Sequence, residues 1–316
     1  MSIPHLRKPK IIVIVGPTAS GKSDLAIKIA EKFNGEIISA DSRQIYKGMN
    51  IGTAKPTKSE MGKIPHRLID IKNPDKNYTV SQYKKDCLIA IKKIIRRKKI
   101  PILVGGTGLY IKAVVDNLKI PEAKPDFRLR KKLERELKLK GLNYLYQNLI
   151  ELDPEAAYII DSKNPRRIVR ALEITLKTKK PFSQQRKSGK KLFNSLKIGI
   201  FLPKEKLLEK INERVNKMLK NGLIKEVRGL IKKYPAGLPA FDAIGYREII
   251  NYLQGKISLD ETTALIKRNT WKYAKRQMTW FSAMGKSASG GKRDKEIIWI
   301  NNPGEAFSKC RDFLSP

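Results

Sequence analysis

Residues 16–23 read Gly16-Pro17-Thr18-Ala19-Ser20-Gly21-Lys22-Ser23, a complete G-x-x-x-x-G-K-S spacing. A loop of this kind turns successive backbone N–H groups toward one point, and a helix starting inside it adds its positive end. The ligand it suits is a di- or triphosphate, with Lys22 reaching the terminal phosphate and the Ser23 hydroxyl available to Mg²⁺. A second polar segment, Asp41-Ser42-Arg43-Gln44, opens on an acid. Asp41 admits two chemistries: the acidic Mg²⁺ partner of an ATPase, or a general base that takes a proton from a nucleophile attacking beside the phosphate. Capping the next turn is a third use of an Asp at such a place. A third segment, Gly105-Gly106-Thr107-Gly108, offers glycines for close approach of a ligand and one hydroxyl, and carries no acid.

These groups act together only if the chain brings them to one edge. Each segment follows an apolar run of strand length: Ile11–Val15, Glu36–Ala40 and Pro101–Val104. In a parallel sheet, residues just past the C-terminal strand ends gather on one rim. Periodicity predicts strands at Lys10–Val15, Glu36–Ala40, Arg67–Ile71, Pro101–Gly105, Lys197–Leu202 and Glu296–Ile300. Helices are predicted at Gly21–Phe33, Thr79–Lys98, Gly108–Asn117, Lys204–Lys220, Leu223–Tyr234, Tyr246–Leu253 and Leu259–Met284. Asp126 to about Leu192 is helical throughout and dense in Arg and Lys, and Pro121 and Pro125 mark its entrance. The expected fold is α/β, a P-loop NTPase-like parallel sheet core over 1–120 and 195–316, interrupted at 121–194 by an inserted all-helical basic subdomain. Ser287–Lys292 reads as a flexible loop before the last strand, and no motif is legible in the tail beyond Met284.

Lys and Arg number 67 against 30 Asp and Glu, a formal net charge of +37, which suits a polyanionic partner such as nucleic acid. Part of that charge is scattered over what read as solvated faces, so composition alone does not decide the partner. Two cysteines, Cys87 and Cys310, and two distant histidines, His5 and His66, exclude a disulfide framework and a Cys- or His-rich metal centre. His66 reads as a structural hydrogen-bonding residue. No apolar stretch approaches the ~20 residues of a bilayer span, and the start carries no apolar signal segment, so a cytoplasmic protein without a membrane partner is expected.

The motifs taken together resemble the tRNA dimethylallyltransferase (tRNA isopentenyltransferase) family of bacterial type. The resemblance rests on Gly16–Ser23, Asp41–Met49, Ile51-Gly52-Thr53-Ala54-Lys55-Pro56, Pro65–Asp70, Gly105–Tyr110, Asn164–Glu173, Ala243-Ile244-Gly245-Tyr246 and Ala274–Phe281, in family order along the chain. It implies that the phosphate loop holds the diphosphate of dimethylallyl diphosphate, with Mg²⁺ on Ser23. It also implies that the prenyl group goes to the N6 amine of the adenosine on the 3′ side of the anticodon, position 37, in tRNAs reading codons that start with U. The chemistry explains the residues: an exocyclic amine is a poor nucleophile, so Asp41 accepts its proton, and the departing diphosphate needs the loop N–H groups, Lys22, Mg²⁺ and an Arg. Arg214, in Ile211–Leu219, matches the family's arginine for that role, and Thr107 matches a threonine near the reacting amine.

The same resemblance places the tRNA anticodon stem-loop on Asp41, Ser42, Arg43, Gln44 and Thr107, and on Gly245, Tyr246 and Arg247. Arg166, Arg167 and Arg170 of the inserted subdomain are further candidates, Arg166 and Arg170 sharing one helix face, as are Arg128 at its entrance and Lys275, Arg276 and Gln277. Trp271, Trp280 and Phe281 read as core. A monomer is expected. Position 67 is Arg where many relatives have a second His, and there is no Cys/His pair for the C-terminal zinc finger of eukaryotic relatives. Two other enzymes share parts of the pattern: a P-loop kinase or ATPase, and a prenyltransferase acting on free adenosine phosphates, which would not need the basic insertion.

Overall fold

A computed structural model describes residues 8–121, 126–185, 188–283 and 297–315. They divide into two compact units, one within Met1–Val114, Leu192–Ser282 and Lys295–Pro316, the other within Val115–Lys191 and Ala283–Asp294.

The first unit is built on six parallel strands, β1 (Lys10–Val15), β2 (Gly35–Ser39), β3 (His66–Arg67), β4 (Ile100–Val104), β5 (Asn194–Ile200) and β6 (Ile297–Ile300), in the order β3-β2-β4-β1-β5-β6. Ile11 to Val15 are buried on both sides of the pleat, as expected of a strand covered by helices on both faces. Its helices are α1 (Lys22–Lys32), α2 (Lys58–Lys63), α3 (Val80–Arg96) and α4 (Gly108–Val115). Ile12, Ile14, Leu25, Ile29, Ile37, Ile102 and Ile198 pack as one core between the sheet and α1. The Thr79 hydroxyl receives Gln82 N–H while the Gln82 side chain receives Thr79 N–H, a reciprocal cap that fixes the start of α3.

β3 is shorter than the predicted Arg67–Ile71. Leu68 (φ 61°) and Asp70 (φ 55°) lie in the left-handed region, which no strand sustains.

After β5 the unit continues through α9 (Lys204–Lys220), α10 (Leu223–Ile231), α11 (Tyr246–Leu253), α12 (Leu259–Ala283) and α13 (Pro303–Leu314). α9 to α12 enclose a second core of Ile211, Val215, Val227, Phe241, Tyr246 and Ile249, against which Ile45 and Met49 pack. Helix α13 falls in the tail where no motif is legible; Asn302 caps it by accepting Gly304 N–H at 2.8 Å, and Ala306 and Cys310 bury against the sheet. Met284 and the Ser287–Lys292 loop lie outside the described residues.

The second unit carries α5 (Phe127–Leu152), α6 (Ala156–Ile159), α7 (Pro165–Thr178) and α8 (Phe182–Gln185), bent within α5 at Gly141, whose φ of 83° and ψ of 172° break the helix. Its only bridge among the described residues pairs Leu118 with Ser188. Leu133, Leu145, Leu149, Ile168, Leu172 and Phe182 form its core. Two buried acids tie it: Asp153 accepts Ser183 N–H and Oγ–H at 2.8 and 2.6 Å, and Glu173 accepts Asp126 N–H at 2.7 Å. No helix among the described residues is long and apolar enough to cross a membrane.

Candidate active site

Register alone levels three strand ends. Ile14 pairs with Val104, and Val104 with Ser39, so β1, β4 and β2 stop side by side and release Gly16, Gly105 and Asp41 onto one rim. Ala40 N–H bonds Val104 O at 2.7 Å and Gly105 N–H bonds Ile14 O at 3.2 Å, which extends the ladder to the rim itself. The rim opens into a cavity of about 860 Å³ lined by Thr18–Ser23, Asp41, Lys55, Arg214 and Tyr273, all in the first unit.

The phosphate loop is a left-handed device. Gly16 (φ 144°) lies so near β5 that a Cβ would stand 2.9 Å from Ile200 O, and Gly21 (φ 85°) caps α1. The Ser20 hydroxyl is buried without a partner, while Lys22 Nζ donates to Pro17 O. Burial, then the charge of Arg214, pulls the Lys22 ammonium down to about 7, with Asp41 opposing. Burial also lowers Arg214, again against Asp41. Two cations and one carboxylate thus share a poorly solvated space, and an incoming anion relieves the strain between the cations.

Asp41 does two things at once. One oxygen, Oδ1, accepts Arg43 N–H at 2.7 Å and Gln44 N–H at 3.3 Å, the capping use of such an acid, while the carboxylate lines the cavity. Thr107 Oγ1 accepts Ser42 N–H at 3.1 Å, so the β4 rim fixes the segment that carries Asp41. Tyr273, Lys55 and Lys217 line the cavity and carry no role in the motif reading; Tyr273 stands one residue before the Ala274–Phe281 block and Lys55 inside another.

The glycines after β4 also clear space for neighbouring segments, while Gly105 and Gly106 line the cavity. A Cβ on Gly105 would lie 2.2 Å from Ala40 O, on Gly106 1.9 Å from Gln277 Nε2, and on Gly108 2.0 Å from Trp280 Nε1. They make room for the end of β2 and for α12. Gln277 is buried, and its amide joins Thr18 N–H to Gly106 O.

Candidate metal ligands are few. Among the described residues no group of three or more His, Cys, Asp or Glu gathers. Oxygen donors at the loop include the hydroxyls of Ser23, exposed in the first turn of α1, of the unpartnered Ser20 and of Thr18, which lines the cavity. That set fits Mg²⁺, which keeps several waters and draws on one or two protein oxygens and the phosphates of its substrate.

Of the residues expected at RNA, Gln277 is buried and its amide is bonded at both ends within the protein, and those away from the β2 and β4 ends differ in exposure. Arg247, Lys275 and Arg276 in the first unit, and Arg128, Arg166 and Arg167 in the second, are exposed. Arg170 is half-buried and bonds Glu173 at 2.8 Å, and Arg43 donates to Pro239 O and Ala240 O at 2.8 and 3.2 Å. Gly245 and Tyr246 have no surface to offer RNA, which corrects the expectation for both: Tyr246 is 0% exposed, and Gly245 starts α11 with its N–H on Glu248 at 2.8 Å. His66 makes a local hydrogen bond, its Nδ1 2.7 Å from Ile64 O, and also lines the cavity.

Residues 44–284 match the family model described as IPP transferase. The chain is 46% identical to a tRNA dimethylallyltransferase of Acetivibrio thermocellus over 295 residues, covering 92% of this chain and 91% of that protein. Another of Carboxydothermus hydrogenoformans is also 46% identical, over 96% of this chain and 95% of its own length. Among solved structures, the tRNA isopentenylpyrophosphate transferase of Bacillus halodurans superposes with a TM-score of 0.69 at 36% identity, over 97% of this chain and 96% of that one. A eukaryotic dimethylallyltransferase described as acting on tRNA superposes with a TM-score of 0.78 at 30% identity, over 96% of this chain and 77% of that one.

Proposed function

The chain belongs to the IPP transferase family, whose relatives above are tRNA dimethylallyltransferases, and from that premise we propose how it works as a prenyltransferase on tRNA. The donor is dimethylallyl diphosphate, and the acceptor is the N6 amine of the adenosine 3′ to the anticodon, position 37, in tRNAs reading codons that start with U. The supporting observation is the cavity at the level ends of β1, β4 and β2, which puts Lys22 and Arg214 in one space with Asp41.

In this reading the loop N–H groups, Lys22 and Arg214 hold the diphosphate. The N6 lone pair forms a bond to the first allyl carbon as its bond to oxygen breaks. The bonding pair leaves with the diphosphate, and the N6 proton passes to Asp41. Ser23 is the protein ligand we assign to Mg²⁺, which when bound neutralises charge gathering on the leaving group. Thr107, which accepts Ser42 N–H, holds Asp41's segment to the β4 rim. A base must leave its stack to reach the half-buried Asp41 in the cavity, so exposed cations such as Arg166, Arg167, Lys275 and Arg276 are assigned to the flanking phosphates.

The test is label transfer from dimethylallyl diphosphate, with Mg²⁺, to unmodified tRNA, with AMP and ATP in parallel. Label in the tRNA that disappears when the adenosine is replaced by guanosine is the expected result. Label in AMP alone moves the enzyme to free nucleotides, and ATP hydrolysis without transfer overturns the reading of the phosphate loop.

A further inference from the structure

Glu226, on α10, lines no part of the cavity, yet its carboxylate accepts four hydrogen bonds from the cavity wall and its support. Oε2 receives the N–H groups of Asn50 and Ile51 at 3.0 and 2.8 Å; Oε1 receives Gly52 N–H at 3.3 Å and the Tyr246 hydroxyl at 2.6 Å. Consecutive N–H groups aimed at one spot form a nest for an anion, and here a side chain from a distant helix fills it. Gly52 makes the approach possible, since a Cβ there would lie 2.4 Å from Tyr246 Cε2.

The nest belongs to the stretch from Asn50 to Lys55, which forms one wall of the cavity. Lys55 closes its far end with three acceptors for its three N–H groups: Tyr46 O at 2.5 Å, Asn50 Oδ1 at 3.1 Å and Asp70 Oδ1 at 2.5 Å. Gln44 then ties the wall to the rim. Its Nε2 donates to Thr53 O and Ala54 O at 3.3 and 3.2 Å, its Oε1 accepts Ser39 Oγ–H at 2.8 Å, and its own N–H bonds Asp41. Hydrogen bonds joined by the backbone of the wall and by Gln44 itself therefore connect Tyr246 through Glu226 to Asp41.

We infer that Glu226, backed by Tyr246, is a positioning residue for the transfer reaction: its carboxylate holds the Asn50–Gly52 nest and so sets the cavity wall and the bearing of Asp41. The inference rests on the reading of the cavity given above. It also explains why Tyr246, a residue of the family-like block, is fully buried: it acts on the site through a carboxylate. Glu226→Gln keeps the shape and loses the charge, and one amide oxygen replaces two acceptors while an NH₂ faces the nest. Glu226→Asp keeps the charge on a shorter arm, and Tyr246→Phe removes a single donor.

The experiment measures steady-state constants per active site, tRNA affinity and backbone amide exchange on the full chain and these variants. For Glu226→Gln we expect kcat/KM for dimethylallyl diphosphate to fall roughly 10- to 100-fold, the scale seen when supporting hydrogen bonds are removed. tRNA affinity should stay within about 2-fold, the measurement precision on the scale of a fraction of a kcal/mol. Exchange at residues 50–52 should quicken while that of α3 does not, Glu226→Asp should recover part of the rate, and Tyr246→Phe should move the same way by less. A Glu226→Gln enzyme with parental kcat and KM overturns the inference, and so does a loss that lies wholly in the folded fraction. If Glu226→Gln does not fold, parental constants in Tyr246→Phe overturn it and a kinetic loss supports it. A parent chain that transfers nothing sinks the functional reading instead, and amide exchange in Glu226→Gln still decides whether this carboxylate holds the nest.

Discussion

Gln277 Oε1 accepts the N–H of Thr18 at 2.7 Å, joining helix α12 to the middle of the phosphate loop across 259 residues of sequence. The other end of the same amide donates to Gly106 O at 3.1 Å, so one buried side chain holds the β1 and β4 segments of the rim together. Gln277→Met matches the length without donor or acceptor and leaves Thr18 N–H and Gly106 O unpaired. Each orphaned group costs about 1–3 kcal/mol, so a loss of about 2 kcal/mol or more is expected in chemical denaturation. Diphosphate affinity should weaken alongside it, which titration of the variant with diphosphate checks.

Lys22 makes diphosphate binding depend on pH with a definite sign. In the free protein its ammonium titrates at about 7, pulled down by burial and then by Arg214. A bound anion favours the charged form and raises that value. Below 7 the amine is charged before and after binding, and little proton is taken up. Above 7 the free amine is neutral, binding takes up a proton, and affinity falls as pH rises, by at most about tenfold per pH unit. Calorimetry of diphosphate binding at pH 6 and pH 8, in buffers of different ionisation enthalpy, should show this. Lys22→Met should remove the protein's share and leave only the ligand's own titration.

In the second unit Glu173 is 0% exposed and bonds Arg130 and Arg170 at 2.6 and 2.8 Å. Burial raises its carboxyl, but the hydrogen bonds from Arg130 and Arg170 and from Asp126 N–H outweigh this and hold it below the ordinary glutamate value. A carboxyl depressed in the folded state contributes stability that is present above its unfolded value, roughly pH 4.3, and is lost as pH falls through the folded one. Removing one partner of a wholly buried ion pair costs about 3–5 kcal/mol, but Arg130 and Arg170 are 31% and 34% exposed and regain water when the carboxylate goes. Glu173→Gln should therefore destabilise the chain by about 1–2 kcal/mol at pH 7, with the difference from the parent shrinking toward pH 3 in denaturant titrations.

Arg166 and Arg167 are exposed at the first turn of α7, and we assign them to tRNA phosphates. If so, Arg166→Ala and Arg167→Ala should weaken tRNA binding at low salt, and each should reduce the slope of log affinity against log salt by about 1. Filter binding across a salt series measures it. An unchanged slope would assign the two side chains to solvent.

The core sheet was legible because its signals are local. Ile11–Val15 is an unbroken apolar run, and the glycine loop that follows admits few other placements. β3 is shorter than its apolar pattern suggests because Leu68 and Asp70 take left-handed conformations that leave no mark in such a pattern. α13 is hard to see in the sequence because its amphipathic face is short and its strongest signal, Asn302-Pro303, is a single cap. At the site, Lys22, Asp41 and Arg214 were found from motif and resemblance, while Glu226 and the Gln277 bridge were not. Their partners lie far away in sequence, and pairing across such separations shows only when the fold brings the elements together. Gly106 and Gly108 also make room for Gln277 and Trp280, a packing need that no local pattern around them marks.

Asp41 is the residue assigned to accept the N6 proton. Asp41→Asn is the variant to use, since an amide oxygen still accepts Arg43 N–H and the turn survives. Single-turnover transfer to tRNA saturated with enzyme and dimethylallyl diphosphate should fall roughly 10²- to 10⁴-fold, the range of a lost general base, with tRNA affinity unchanged. A variant that transfers at the parental rate would contradict the account and leave Asp41 as a cap of its own loop.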